Sequence, residues 1–205
     1  VLHQLMQQNI PLHPIPDAEM TRLTQSRRLG GLLGLVPLPP PLQLARWLTN
    51  QPAPTLLVAV DVVDPGNVGG MMRTAHALGA DLFSTVGGSD PYHPRAGRTS
   101  MGSIFKLPRI TSHLPDLLVN LRETAVYTIG AVAENGVALP DFAGGDGGTA
   151  VFMGNEYFGL PDNLLTQLDA MITIPMKPGI DSFSVNAAAA IVLYELNQKN
   201  KLGQK

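Results

Sequence analysis

From Thr55 onward, short β-branched and apolar runs alternate with segments of helical spacing, and this alternation restricts the fold more than any other feature of the chain. Residues 56–62 are nearly all apolar, as expected of a strand covered on both faces. Over residues 67–78, Val68, Met71, Met72, Ala75 and Leu78 recur at the spacing of a helix face. Further strands are expected at 81–86, 125–133, 149–153 and 171–175, and helices at 114–122, 161–168 and 183–197, with a Gly-rich turn over 144–148. Strands alternating with helices predict an α/β fold, a mostly parallel sheet with helices on both faces. Composition agrees, since 44% hydrophobic residues can fill such a core and 21 Gly and 18 Pro can make its many turns.

The first quarter of the chain reads differently. Two strand-like pieces, 11–15 and 31–36, flank a polar stretch, and 36 residues are too few to bury a core alone. Residues 1–36 are therefore expected to be the C-terminal part of a truncated domain, and a chain opening on Val1 is expected to lack its natural start. Residues 37–54 are Pro-rich and read as a semi-rigid linker with a short helix over 42–48. Residues 55–205 form the main domain.

Several function classes are disfavoured. The 205 residues contain no cysteine, which removes disulfides and thiolate metal sites and fits a cytoplasmic home. No apolar run approaches the roughly 20 residues that span a membrane. The five histidines, His3, His13, His76, His93 and His113, show no metal-ligand spacing, so no metal is expected. A net charge of −2 is not that of a non-specific nucleic-acid coat. Phosphate contacts would have to come from Arg27 and Arg28, from Arg95, Arg98, Lys106 and Arg109, or from Lys199, Lys201 and Lys205, each equally readable as solvated surface.

Three segments carry chemistry. The first runs Asp64-Pro65-Gly66-Asn67-Val68-Gly69-Gly70-Met71-Met72-Arg73. It is a turn with Asn67 as the expected helix cap, and Gly69 and Gly70 lie beneath Arg73, leaving room for a substrate backbone. Alone, it reads equally as a dinucleotide-binding turn. The second, Phe152-Met153-Gly154-Asn155-Glu156-Tyr157-Phe158-Gly159-Leu160, runs a strand into polar groups at its C-terminal end, where open α/β sheets bind ligands. The third is Ile174-Pro175-Met176-Lys177, then Ser182-Phe183-Ser184-Val185-Asn186 and four alanines, with Ser182 a plausible cap. Alone it reads as a buried core helix.

Together, in this order and spacing, the three resemble the SpoU/TrmH family of RNA ribose methyltransferases in the SPOUT superfamily, over about residues 56–196. Arg98-Thr99-Ser100-Met101-Gly102-Ser103 is similar to the segment connecting the family's motifs. The resemblance implies a C-terminal deep trefoil knot and S-adenosylmethionine as the cofactor. It implies methylation of a ribose 2′-hydroxyl in RNA by a cytoplasmic homodimer whose site is completed across the interface. Residues 1–36 resemble the tail of a small α/β substrate-recognition domain related to ribosomal RNA-binding proteins, which favours ribosomal over transfer RNA. Carried over residue by residue, the resemblance assigns the cofactor to Gly154, Ile174, Met176 and Phe183, with the 128–133 strand end, Ile129 and Gly130 in it, beside them. It assigns the catalytic site to Arg73, Asn67, Glu156, Ser182 and Ser184, with Glu156 fixing Asn67 or Arg73. A guanidinium is a donor-only group and a poor proton acceptor, so Arg73 is expected to hold phosphate and stabilise the developing alkoxide rather than act as a base.

One departure stands out. The family usually reads Ser-Leu-Asn-Val-Ser where this chain has Ser182-Phe183-Ser184-Val185-Asn186. A hydroxyl replaces an amide at 184, and an amide appears at 186. That leaves open an inactive RNA-binding relative. A nicotinamide-dependent oxidoreductase is the remote alternative, opposed by the missing G-x-G-x-x-G.

Overall fold

The computed structural model describes residues 1–24, 31–145 and 147–202, and the chain divides into two compact units, Val1–Pro40 and Pro41–Lys205. The smaller contains two short helices, α1 (Leu2–Gln7) and α2 (Asp17–Leu23). Asp17 and Glu19 sit in the first turn of α2, where carboxylates favour the helix dipole. Residues 11–15 and 31–36, expected as strand-like, pair with nothing and are not strands. Pro11 and Pro14 offer no N–H to a ladder. Arg27 and Arg28 lie outside the described residues.

The larger unit begins before the expected boundary at 54/55. Helix α3 (Leu44–Thr49) buries Leu44 and Leu48 beside Leu56 and Val58, so part of the expected linker belongs to the core. The rest alternates as anticipated. In chain order come β1 (Thr55–Val60), α4 (Pro65–Ala77), β2 (Leu82–Val86), α5 (Pro94–Thr99), β3 (Arg109–Thr111) and α6 (Leu114–Glu123). Then follow β4 (Tyr127–Val132), β5 (Val137–Ala138), β6 (Thr149–Met153), α7 (Asp162–Leu165), β7 (Ala170–Thr173) and α8 (Val185–Leu202). The sequence signals neither α5, β3 nor β5.

The seven strands form one sheet in the order β3-β2-β1-β6-β4-β7-β5, and every pairing is parallel. Successive β1 residues serve opposite faces. Leu57 and Ala59 pack with α4, α5 and α8, while Leu56, Val58 and Val60 pack with α3, α6 and α7. This two-sided burial is why β1 and β6 read as continuous apolar runs.

Strand starts are closed by a repeated device. Asp81, one residue before β2, accepts the amide of Thr55 at 2.8 Å. Asp169, one residue before β7, accepts both the amide (2.8 Å) and hydroxyl (2.7 Å) of Thr128. Each acid fastens its strand to a neighbour.

At the other end, β7 lies between β4 and β5, which residues 133–136 join directly. This link crosses β7 closely. A side chain at Gly136 would collide with the backbone of Ile172 and Thr173, and its amide donates to the Thr173 hydroxyl at 3.0 Å.

Candidate active site

Where β4, β6 and β7 end, their loops enclose a cavity of about 600 Å³. This is the edge at which open parallel sheets bind ligands. The cavity is lined by residues 131–135 after β4, residues 153–160 after β6, and Ile174, Met176 and the 181–183 segment after β7. Its floor is apolar, from Met153, Leu160, Ile172 and Val185. The charged side chains along it are Glu134, Glu156, Asp162 and Asp181, and no Lys or Arg lines it among the described residues.

The loop after β6 is held in one shape. The Asn155 side chain accepts the amides of Tyr157 (2.8 Å) and Phe158 (3.2 Å) and donates to the Asp61 carbonyl at 2.8 Å. Its backbone exchanges two hydrogen bonds with Gly159, at 3.0 and 2.9 Å. Gly159 takes φ +68°, which favours glycine, and Gly154 passes so close to Gly159 that a side chain would collide with it.

A chain of side chains links the three motifs. Asn186, on the first turn of α8, donates from its amide nitrogen to Asn67 Oδ1 at 2.9 Å. Asn67 in turn donates to Glu156 Oε1 at 2.7 Å. Two buried acceptors at its ends, Glu156 Oε2 and Asn186 Oδ1, have no partner among the described residues. Buried unpaired acceptors are rare enough that each calls for a reason. Asn67 is free for this bond because it does not cap α4. Asp64 does, accepting the Gly66 amide at 2.7 Å, with Pro65 at the first helical position.

The glycines of the first motif serve a different end from the expected one. A side chain at Gly69 would meet the Ala96 carbonyl and Thr99, and one at Gly70 would meet Asn186. Their space admits α5 and α8, not a substrate backbone. Arg73 is exposed on α4, has no hydrogen bond or ion pair among the described residues, and does not line the cavity. Glu156 therefore holds Asn67, and not Arg73.

The remaining expected residues divide. Gly154, Ile174, Met176, Ser182 and Phe183 line the cavity. Ile129 and Gly130 do not; Gly130 packs against Leu160, Leu165 and Leu168, and residues 131–133 take the place beside the cavity. Ser184 is outside it and caps α8, accepting the Ala187 amide at 3.4 Å, so Ser182 is not the cap. Helix α8 starts at Val185, two residues later than the apolar pattern implies, because 181–184 is irregular.

Several expected phosphate ligands are engaged internally. Arg95 pairs with Asp64 at 3.1 Å, Arg109 stacks over Tyr92 at 4.5 Å, and Lys199 donates to the carbonyls of Leu139, Pro140 and Phe142. His76 contacts the Ser103 hydroxyl at 3.2 Å. Lys205 and the Lys201 side chain lie outside the described residues. No group of acidic, His or Cys side chains suited to a metal occurs among the described residues.

Residues 54–194 match the model of the SpoU rRNA Methylase family, more than two thirds of the chain. The chain belongs to the SpoU rRNA methylase family. Within it, this SpoU chain is 32% identical over 142 residues to the 23S rRNA (guanosine(2553)-2′-O)-methyltransferase of Bacillus subtilis, covering 68% of this chain and 57% of that protein. It is 25% identical over 195 residues to the 23S rRNA (adenosine(1067)-2′-O)-methyltransferase of Streptomyces azureus, covering 94% and 72%. The SpoU methyltransferase AviRb of Streptomyces viridochromogenes, solved in complex with AdoMet, superposes with a TM-score of 0.71 at 28% identity, covering 77% of this chain and 65% of that one. The chain thus spans a little over half of the Bacillus relative and nearly three quarters of the Streptomyces azureus one.

Three features of the SpoU site lie beyond sequence reasoning. Glu134 and Asn135, beyond the expected strand end, carry no motif. Tyr157 and Phe158 lie inside the second motif with no role of their own. The Asn67–Asn186 bond joins positions 119 residues apart. The one available signal was the displaced asparagine itself.

Proposed function

We propose that this protein transfers a methyl group from S-adenosylmethionine to a ribose 2′-hydroxyl of RNA, ribosomal rather than transfer RNA. The observation that carries the reading is the cavity's charge: four carboxylates and no cation at the loop ends of three parallel strands. A sulfonium with an ammonium group suits such a rim, whereas the pyrophosphate of a nicotinamide cofactor is repelled by it. The bound cofactor supplies an electrophilic methyl group. Gly154, Ile174, Met176 and Phe183, with residues 131–133, line the cavity that would hold it. Asn67, Glu156 and Ser182 shape the acceptor side.

Arg73 supports a second-copy arrangement. It is exposed and outside its own chain's cavity, so in a homodimer it serves the partner's site, holding phosphate and stabilising the alkoxide. Half-buried Ala187, Ala188, Ala190 and Ile191 and exposed Tyr194 on α8 favour its lying near that interface. Residues 133–136, crossing β7, support a knot through which the chain after β7 is threaded. The match to the Streptomyces azureus relative over 94% of this chain supports reading the N-terminal residues as part of a recognition domain. No helix among the described residues is long and apolar enough to cross a membrane, in keeping with a cytoplasmic RNA enzyme.

Calorimetry tests the cofactor: saturable S-adenosylmethionine binding is expected and NAD binding is not. Radiolabelled methyl transfer to an unmodified 23S transcript, mapped by mass spectrometry, tests the reaction. Cofactor binding without transfer to any ribosomal or transfer RNA would favour the inactive RNA-binding relative.

A further inference from the structure

The most exposed aromatic rings of the molecule adjoin its proposed reaction site. Tyr157 is 85% and Phe158 88% exposed, and both line the cavity mouth directly after Glu156. Exposed neighbouring aromatics usually mark contact with another molecule. These two are not on a loose loop. The Asn155 side chain holds both of their amides, a backbone bridge closes the loop from Asn155 to Gly159, and the Asp61 carbonyl ties it to the end of β1. Rings presented on a fixed turn lose little freedom when something stacks on them.

The surroundings narrow what that partner is. Glu134, Glu156, Asp162 and Asp181 stand along the same mouth with no basic side chain among them. Phosphates are repelled there, so RNA approaching this rim cannot be held by its backbone at that point. A nucleobase is uncharged and has a flat π-face, and aromatic side chains take such faces with little regard for sequence. A ribose presented to the methyl donor carries its base one glycosidic bond away. A base leaving its helical stack to expose that ribose needs a new stacking partner at this distance.

We infer that Tyr157 and Phe158 form a stacking platform for an unpaired base of the RNA substrate, the target base or its neighbour. This rests on the RNA methyltransferase reading of the same cavity. The platform compensates for the cationic contacts that this chain's own rim lacks, while phosphate binding falls to Arg73 of a second copy.

The test uses a single-stranded oligonucleotide carrying 2-aminopurine, titrated with the whole protein saturated with S-adenosylhomocysteine. Wild-type protein quenches the probe as the base stacks. Tyr157→Ala with Phe158→Ala should lower probe affinity about tenfold or more and remove the quench. The exchange Tyr157→Phe with Phe158→Tyr should restore both. Cofactor affinity stays unchanged in all three, which separates failure of the platform from failure of the methyltransferase reading. Absence of quenching in wild type, or equal quenching by the alanine pair, overturns the inference. If light scattering shows the alanine pair reduced from dimer to monomer with RNA affinity retained, the rings belong to the contact with a second copy, and the inference is likewise overturned. Loss of cofactor binding alone would make the rings a lid on the cofactor instead.

Discussion

The two ends of the parallel sheet use the same kinds of residue in opposite ways. Where strands begin, Asp81 and Asp169 are bonded to backbone and hydroxyl groups of Thr55 and Thr128. Where strands end, Glu156 is held by one oxygen only, and its other oxygen and Asn186 Oδ1 are buried without donors. A satisfied acid strengthens the fold and does little else. A buried acceptor left unpaired costs stability, which a protein tolerates where a ligand or a partner is to supply the donor. Arg98 Nε and Arg109 Nε are also buried without a partner among the described residues, so an unpaired group points to the site where, like Glu156, it also lines the cavity.

Substitutions at the two ends should therefore separate activity from stability. The largest effect is expected for Arg73→Ala. Loss of a preorganised cation beside developing negative charge lowers methyl transfer about 100-fold or more. Its melting temperature and its S-adenosylmethionine affinity by calorimetry should match wild type, because Arg73 is exposed and lines no cavity. Loss of cofactor binding would remove the role given to it.

Next comes Asp169→Ala, at the opposite end. It leaves the Thr128 amide without its charged acceptor, and should cost about 2–3 kcal/mol in urea unfolding. Methyl transfer by the folded protein should hold near the wild-type rate. A collapse of activity at full stability would break the division between the two ends.

The smallest and most informative effect is expected for Asn186→Ala. It removes the donor to Asn67 but also an acceptor that had no partner, so the melting temperature should move by only a few degrees. With Asn67 released, the Asn67–Glu156 pair loses its orientation, and methyl transfer should fall about tenfold at unchanged cofactor affinity. Ser184→Ala should instead act on stability, since Ser184 caps α8 outside the cavity. Early melting of the Asn186 variant with normal turnover would assign Asn186 to structure.

Much of this was legible beforehand, and the failures have identifiable causes. Strands β1 and β6 were readable because burial on both faces writes a continuous apolar run. Helix α5 was not, because Pro94-Arg95-Ala96-Gly97-Arg98-Thr99 is short and has one buried residue, Ala96, too few to set a period. The extended pieces at 11–15 and 31–36 mimic strands locally, but a strand exists only with a partner, and no local pattern supplies one. The cavity-lining Gly154, Ile174, Met176 and Phe183 were reached through motif resemblance. Of the expected 128–133 strand end, residues 131–133 line the cavity while Ile129 and Gly130 lie within the sheet, because a strand's end is where local pattern is weakest. Gly69 and Gly70 were read as space for substrate because glycine shows that something approaches closely, not what approaches.

The position of β7 bears on how the chain is made. On the ribosome, β4, the link 133–136 and β5 emerge well before β7. Until β6 is made, β4 has no neighbour in the sheet, and until β7 is made, β5 has none either. Such unpaired strands recruit other chains readily. The last third of synthesis is thus the vulnerable interval, since β6 and β7 together join β4 and β5 to the strands made first.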